Sequence, residues 1–245
     1  MSRGDATNEG LIRCVGERLA AYGAGYGAGD SFGIEAKTIA RILAAMREVD
    51  RADFLPPSQR GRAYQDGPLP IGFDQTCSQP STVAMMLGAL DPRPGQRLLE
   101  IGSGSGYAAA IAAILVAPEG RVFACELLPE LLAGARVNFA TIEGRSWSRA
   151  TTMTFIEGDG SAGFPDLGPF DRILLSAGVK GSGFNEGLLA SQLAEGGILV
   201  YPEAFGRMHR VERRGGDYRR DSWGFVAFVP LKGRNSGLPL EDRGN

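Results

Sequence analysis

A chain of 245 residues, 43% of them hydrophobic, can bury one substantial core with a small attached subdomain, and a net charge of −2 argues against a general nucleic-acid surface. Three cysteines without metal-ligand spacing suit a reducing cytoplasm, and the one histidine, His209, leaves little room for a Ser-His-Asp, Cys-His or catalytic zinc mechanism. No apolar run approaches the roughly 20 residues that cross a bilayer, and Met1-Ser2-Arg3-Gly4-Asp5 lacks the charged-then-apolar order of a secretory signal. The expectation is therefore a cytoplasmic monomer with neither a nucleic-acid nor a membrane partner.

Leu11, Ile12, Val15 and Leu19 share one helical face and predict a helix over residues 9–22. Gly23, Gly25, Gly27 and Gly29 then alternate through a segment that cannot hold a helix and is expected to be flexible. Ile39, Ile42, Leu43, Met46 and Val49 predict a second helix over residues 35–49, and Pro56-Pro57 closes this unit. Residues 63–72 read as an irregular, turn-rich connector leading to Gln75-Thr76-Cys77-Ser78-Gln79-Pro80 and a helix over residues 81–90. Pro80 fits the first helical position, where its missing N–H would lack a partner anyway.

From there strands and helices alternate. Strands are predicted at 98–101, 122–126, 153–157, 170–175 and 197–201, with helices at 108–115 and 130–139. Residues 211–213 and 225–229 flank Gly215-Gly216-Asp217 and suggest a closing antiparallel hairpin. This alternation makes a doubly wound, mostly parallel α/β sheet that binds ligands at the carboxyl ends of its strands. Residues 1–80 form a helical and connector subdomain on the substrate side, 81–232 the ligand-binding domain, and 233–245 a polar tail expected to be mobile.

The chemistry centres on Leu98-Leu99-Glu100-Ile101-Gly102-Ser103-Gly104-Ser105-Gly106-Tyr107, a strand, a glycine turn and a helix start. Tyr107 stands where a dinucleotide fingerprint needs its third glycine, and no Gly-Lys-Ser or Gly-Lys-Thr follows for a phosphate loop. What remains, Glu-x-Gly-x-Gly-x-Gly, resembles the first motif of class I S-adenosylmethionine (AdoMet) methyltransferases, whose ligand carries no phosphate. Glu100 would face the ligand's amino-acid end, directly or through water. Glu126 ends the next strand, where an acid accepts hydrogen bonds from ribose hydroxyls. Asp159, in Gly158-Asp159-Gly160, could receive an adenine amino group or belong to an ordinary turn. On local sequence Ser78 reads as a cap for the following helix, Cys77 as a packing residue, and His209 as a surface residue of a partly exposed strand.

Three longer runs carry a closer resemblance. Tyr64-Gln65-Asp66-Gly67-Pro68-Leu69-Pro70-Ile71-Gly72, then Gln75-Thr76-Cys77-Ser78-Gln79-Pro80, then Leu99 to Tyr107 resemble protein-L-isoaspartate O-methyltransferases. Val49-Asp50-Arg51-Ala52-Asp53-Phe54-Leu55-Pro56, Glu157-Gly158-Asp159-Gly160, Pro169-Phe170-Asp171 and Phe228-Val229-Pro230-Leu231 extend the likeness, which spans residues 39–231. The resemblance implies AdoMet-dependent methylation of the free carboxylate of L-isoaspartyl residues in damaged proteins or peptides. It places Ser78 at the active site and sets Thr76-Cys77-Ser78 beside the methyl group. The donor's expected contacts are Gln75, Thr76, Cys77, Ser78, Glu100, Gly102, Ser103, Gly104, Glu126, Leu127, Asp159 and Gly160, with no metal.

The implied chemistry suits the composition. A carboxylate with a pKa of about 4 is already ionised at neutral pH and needs no general base, so Ser78 is assigned to orienting the acceptor. Phe73-Asp74, Cys77, Ser81, the loop 178–187 and the long segment 201–206 depart from the family pattern and bear on the substrate. A relative methylating another carboxylate or a hydroxyl is the nearest alternative, separated by a panel of acceptors with labelled AdoMet. A nucleotide-binding regulator without catalysis is the alternative of another class; it would bind AdoMet without turnover.

Overall fold

The computed structural model describes residues 7–23, 33–142 and 150–237; the stretch carrying Gly25, Gly27 and Gly29, expected to be flexible, lies outside them. Helices α1 (Asn8–Gly23) and α2 (Ala36–Glu48) match the two periodic segments at the start of the chain. Their shared apolar faces, Leu11, Ile12, Val15 and Leu19 on one and Ile42, Ala45 and Met46 on the other, are buried. Full burial of each larger aliphatic side chain contributes about 1.5–3 kcal/mol. These residues join one hydrophobic cluster with α3 (Pro80–Leu90), α4 (Tyr107–Val116) and the sheet residues Leu98 and Val122. The amino-terminal helices therefore share the core of the sheet.

Between them, residues 51–77 are more ordered than a connector. Two short 3₁₀ turns, Arg51–Phe54 and Pro57–Arg62, precede strands β1 (Leu69–Gly72) and β2 (Gln75–Cys77), which pair antiparallel. Phe73 and Asp74 close this hairpin with φ of 54° and 57°, consistent with a tight turn whose two central residues are left-handed. Proline and glycine within β1 hide the strand from a sequence reading, because both normally mark breaks.

The main sheet has seven strands in the order β5-β4-β3-β6-β7-β8-β9. Strands β3 (Arg97–Ile101), β4 (Arg121–Glu126), β5 (Thr152–Glu157), β6 (Phe170–Leu175) and β7 (Leu193–Pro202) are parallel. Strands β8 (Phe205–Arg214) and β9 (Asp217–Ala227) close the sheet as the expected antiparallel hairpin, longer than its sequence signal. Helix α5 (Pro129–Ala140) follows β4, and the short α6 (Glu186–Ala190) precedes β7. The order reverses at β3, whose neighbours β4 and β6 lie on opposite sides, so β3 ends at the switch point where such sheets bind ligands. Among the described residues, no helix is long and apolar enough to cross a membrane.

Residues 233–237 correct a sequence expectation, while 238–245, the rest of the expected mobile tail, lie outside the described residues. The Asn235 side chain donates to the carbonyls of Ser161 and Asn185, the Asn235 N–H to Ser161 Oγ at 2.9 Å, and the Arg234 N–H to Asp159 at 2.8 Å. Asn235 and Ser236 are buried. A polar sequence is mobile only when its hydrogen-bonding groups face water, and here they face other loops.

Candidate active site

Strand β3 delivers Glu100 and Ile101 to the switch point, and the chain then turns through Gly102 and Gly104 into α4. Gly102 has φ of +80°, and a Cβ there would come within 3.4 Å of the Ala177 Cβ; Gly104 has φ of +54°. The left-handed conformation costs other L-residues roughly 1–2 kcal/mol, so the alternating glycines are what this turn requires. The N–H groups of Gly102 and Ser103 both donate to the Cys125 carbonyl at 2.9 Å, tying the turn to the end of β4.

Glu126 closes β4 and braces the same turn. One carboxylate oxygen accepts from the Gly104 N–H at 2.8 Å and the other from the Leu128 N–H at 3.0 Å. A carboxylate held by two backbone donors keeps free lone pairs on each oxygen, which suits a vicinal diol.

Glu100 lies deeper and is fully buried. Ser176, at the end of β6, donates its hydroxyl to Glu100 Oε1 at 2.5 Å, while Oε2 is buried without a partner. Burial pushes the Glu100 carboxyl up to about 8; the Ser176 hydrogen bond opposes this and the nearby Glu126 charge adds to it. Ser103 Oγ and the Tyr107 hydroxyl, lining the same cavity, are also buried without partners.

Two adjoining cavities meet at this turn. The larger, about 570 Å³, runs between Gln75, Thr76, Glu126, Leu127, Gly158, Gly160 and the segment Val229 to Lys232. The smaller, about 310 Å³, lies beneath Thr76, Cys77 and Ser78 and reaches Glu100, Ser103 and Tyr107. Thr76, Gly102, Gly104 and Ser176 line both, so the two form one continuous cleft at the carboxyl end of β3. Among the described residues no cluster of His, Cys, Asp or Glu could hold a metal ion.

The structure thus brings Gln75, Thr76, Cys77, Ser78, Glu100, Gly102, Ser103, Gly104, Glu126, Leu127 and Gly160 to the cleft. Asp159 is the exception. Its carboxylate accepts from the N–H groups of Ser161 and Arg234 and does not line either cavity. Burial would raise its pKa, but these amide donors outweigh that and hold it below the usual aspartate range. It anchors the carboxy-terminal segment through Arg234. Ser78 is half-buried and does not cap α3: Gln79 holds the cap position without a side-chain cap bond, and the Ser81 N–H donates to Asp66 at 2.9 Å. His209, on β8, stacks on Tyr201 with ring centroids 4.8 Å apart and meets Glu203 at 3.0 Å.

Sequence reasoning missed two contributors. Ser176 has no motif of its own, although a strand-end position beside β3 in a doubly wound sheet would have marked it. Arg51, far from the glycine turn in sequence, is fully buried under the Cys77-Ser78 segment.

The fit to an AdoMet-sized donor can be judged from these atoms. The unpartnered Glu100 and Ser103 oxygens want donors or acceptors that water or a ligand's amino-acid end would bring, the glycine turn leaves room for close approach, and Glu126 is placed for a diol. The residues fit.

Comparison with known proteins agrees. The family described as Protein-L-isoaspartate(D-aspartate) O-methyltransferase matches residues 34–236. A protein-L-isoaspartate O-methyltransferase of Methanopyrus kandleri is 44% identical over 197 residues, covering 79% of this chain and 84% of that protein. Protein-L-isoaspartate O-methyltransferase 1 of Archaeoglobus fulgidus is 39% identical over 204 residues, covering 82% and 90%. Among solved structures, a Plasmodium falciparum protein-L-isoaspartate O-methyltransferase in complex with S-adenosyl-L-homocysteine superposes with a TM-score of 0.69 at 22% identity, covering 91% of this chain and 99% of that one. At that identity the likeness speaks to the fold.

Proposed function

The chain belongs to the protein-L-isoaspartate(D-aspartate) O-methyltransferase family, and from that premise we propose how its own residues methylate an isoaspartyl carboxylate. The activity is AdoMet-dependent methyl transfer to isoaspartyl residues of proteins, a repair reaction. Bound AdoMet supplies a methyl group activated by its sulfonium leaving group. Glu126 and the glycine turn would hold the donor's ribose, Gly160 and Leu127 would border its base, and Glu100 with Ser103 would face its amino-acid end. Asp159 helps to fix the segment that lines the cleft, and its free lone pairs would accept the adenine amino group beside Gly160.

Ser78 would donate its hydroxyl to the acceptor carboxylate and fix which oxygen faces the methyl carbon. The chain supplies no base, because the acceptor is already an anion at neutral pH. Its contribution is alignment and exclusion of water, achieved by the Thr76-Cys77-Ser78 segment roofing the smaller cavity. Residues 1–80 serve the acceptor side and lend Gln75 and Thr76 to the donor cavity, residues 81–232 supply the rest of the donor side, and one core joins them. Cys14, Cys77 and Cys125 are all free thiols, which supports a reducing, cytoplasmic setting.

One observation carries this reading: Ser78, Glu100 and the glycine turn line one cavity, although more than 20 residues of sequence separate the serine from the acid. The test is a pair of peptides differing only in whether one residue is isoaspartyl or aspartyl, supplied with methyl-labelled AdoMet. Label on the isoaspartyl member alone is expected; equal labelling of both, or of neither, would overturn the assignment.

A further inference from the structure

Arg51 has no part in the reading above, yet its guanidinium gathers more backbone carbonyls than any other among the described residues. The side chain is fully buried. Nη1 donates to the carbonyls of Ala63 at 3.1 Å and Gln65 at 2.9 Å. Nη2 donates to those of Gly67 at 2.8 Å, Cys77 at 3.3 Å and Ser78 at 3.0 Å. Among the described residues no carboxylate comes within ion-pair distance of it. Its acidic neighbours in the fold are engaged elsewhere: Asp50 with the Tyr64 hydroxyl and the Ala52 N–H, Asp66 with Arg18, Gln79 and the Ser81 N–H. The guanidinium is thus a buried cation held by carbonyl dipoles and by the face of the Tyr107 ring, 6.0 Å from its centroid.

Taking a guanidinium out of water is costly, and a carboxylate partner is the common compensation. Five carbonyls drawn from two separate stretches of chain, residues 63–67 and 77–78, are instead gathered on one planar fork. The four N–H groups of the two Nη atoms serve all five, one of them shared, while Nε is buried without a hydrogen-bond partner; only arginine's fork offers that many donors in fixed directions. Two of the five carbonyls belong to Cys77 and Ser78. The Cys77 carbonyl shares a peptide unit with the Ser78 N–H, and the Ser78 carbonyl shares one with the Gln79 N–H. A charge-assisted bond to a carbonyl polarises its amide and strengthens that N–H as a donor.

We propose that Arg51 is the positioning residue of the acceptor site, clamping the Cys77-Ser78 backbone so that the Ser78 hydroxyl and the polarised peptide groups beside it meet the isoaspartyl carboxylate in one orientation. The unpaired positive charge adds a favourable potential for that anion. Arg51 touches neither reactant and acts through Ser78. The inference rests on Ser78 serving the acceptor; Arg51 makes no hydrogen bond to Glu100, Glu126 or the glycine turn and meets the donor side at the Tyr107 ring face, so donor affinity is read separately in the test.

The test uses R51K as the main variant. Lysine keeps the charge but offers three donors from one atom, so it cannot span five carbonyls. R51K is expected to lose about tenfold or more in kcat on an isoaspartyl peptide, since small misplacement of a reacting group costs up to about 100-fold. The affinity for S-adenosyl-L-homocysteine, measured by calorimetry, should stay within about threefold of the unmodified enzyme. In R51A, guanidinium chloride at roughly tens of millimolar should restore part of kcat, while sodium chloride at equal ionic strength should not. An R51K enzyme with unchanged kcat overturns the proposal. So does a loss in R51K matched by an equal loss of product affinity, which would make Arg51 a general structural support. If R51A does not fold, R51K decides alone. An unmodified enzyme inactive on both peptides of the earlier pair would refute the functional reading, whereas an active one with an equally active R51K refutes this inference only.

Discussion

Replacing Glu100 by Gln isolates the electrostatics of the donor site. In the protein without donor, burial lifts this carboxyl from 4.5 to about 8, so at pH 7 the folded state holds a proton that the unfolded state has released. Stability changes with pH as the difference in bound protons between unfolded and folded states. Between these two values the folded state binds more, so stability falls as pH rises. Glu100's contribution is fully present below about 4.5 and is lost as pH climbs through about 8. Over the two units from pH 5 to pH 7, at about 1.4 kcal/mol per unit, this one group accounts for about 2–3 kcal/mol. Gln does not titrate, so E100Q removes that component and leaves every other group in place.

Urea unfolding of both proteins at pH 5, 6 and 7 reads the difference directly. The unmodified protein should lose about 2–3 kcal/mol relative to E100Q across that interval. Donor binding gives a second reading. An ammonium group brought to Glu100 Oε2 would favour the ionised carboxylate, so binding at pH 7 should release close to one proton per site, seen as buffer-dependent heats in calorimetry. E100Q should release none. A stability gap between the two proteins that does not vary with pH would refute the reasoning.

Three further outcomes follow from the geometry. S78A should lower kcat about 10–100-fold with little change in donor affinity and no new ionisation in the pH–rate profile, as steady-state kinetics from pH 6 to 9 would show. E126A leaves the Gly104 and Leu128 N–H groups without their acceptor, and loss of such charge-assisted bonds, about 1.5–3 kcal/mol, should weaken donor binding about 10–100-fold by calorimetry. D159A should release the carboxy-terminal segment, so that hydrogen exchange at the Arg234 and Ser161 amides rises while β3 and β4 amides stay protected. Because Asp159 is held below its usual pKa, its stabilisation is present above about pH 4 and fades as pH falls further.

Much of the donor half is legible in the chain itself. Glu100, Gly102, Gly104 and Glu126 announce themselves because strand, turn and helix are consecutive in sequence and the turn tolerates few residues besides glycine. The acceptor half is less so. The β1–β2 hairpin hides behind Pro70 and Gly72, since nothing local says that β1's exposed alternate positions free those residues from the ladder's demands. Arg51 was invisible as a site residue because its role comes from carbonyls up to 27 positions away, which no periodicity encodes. At Asp159 the strand-end position suggested a ligand contact, but not its second partner, the N–H of Arg234, 75 residues on. Local chemistry reads from sequence, whereas partners brought together by the fold do not.

The hydrocarbon interior that runs without a seam from Leu11 and Ile42 to Leu98 and Val122 has a bearing on how new specificities could be built here. A cassette exchange of the first 80 residues for those of a relative would import a surface shaped for a different α3 and α4, leaving voids or clashes along the whole junction. Grafting would have to carry both sides of that contact together, or confine itself to the loops at the rim.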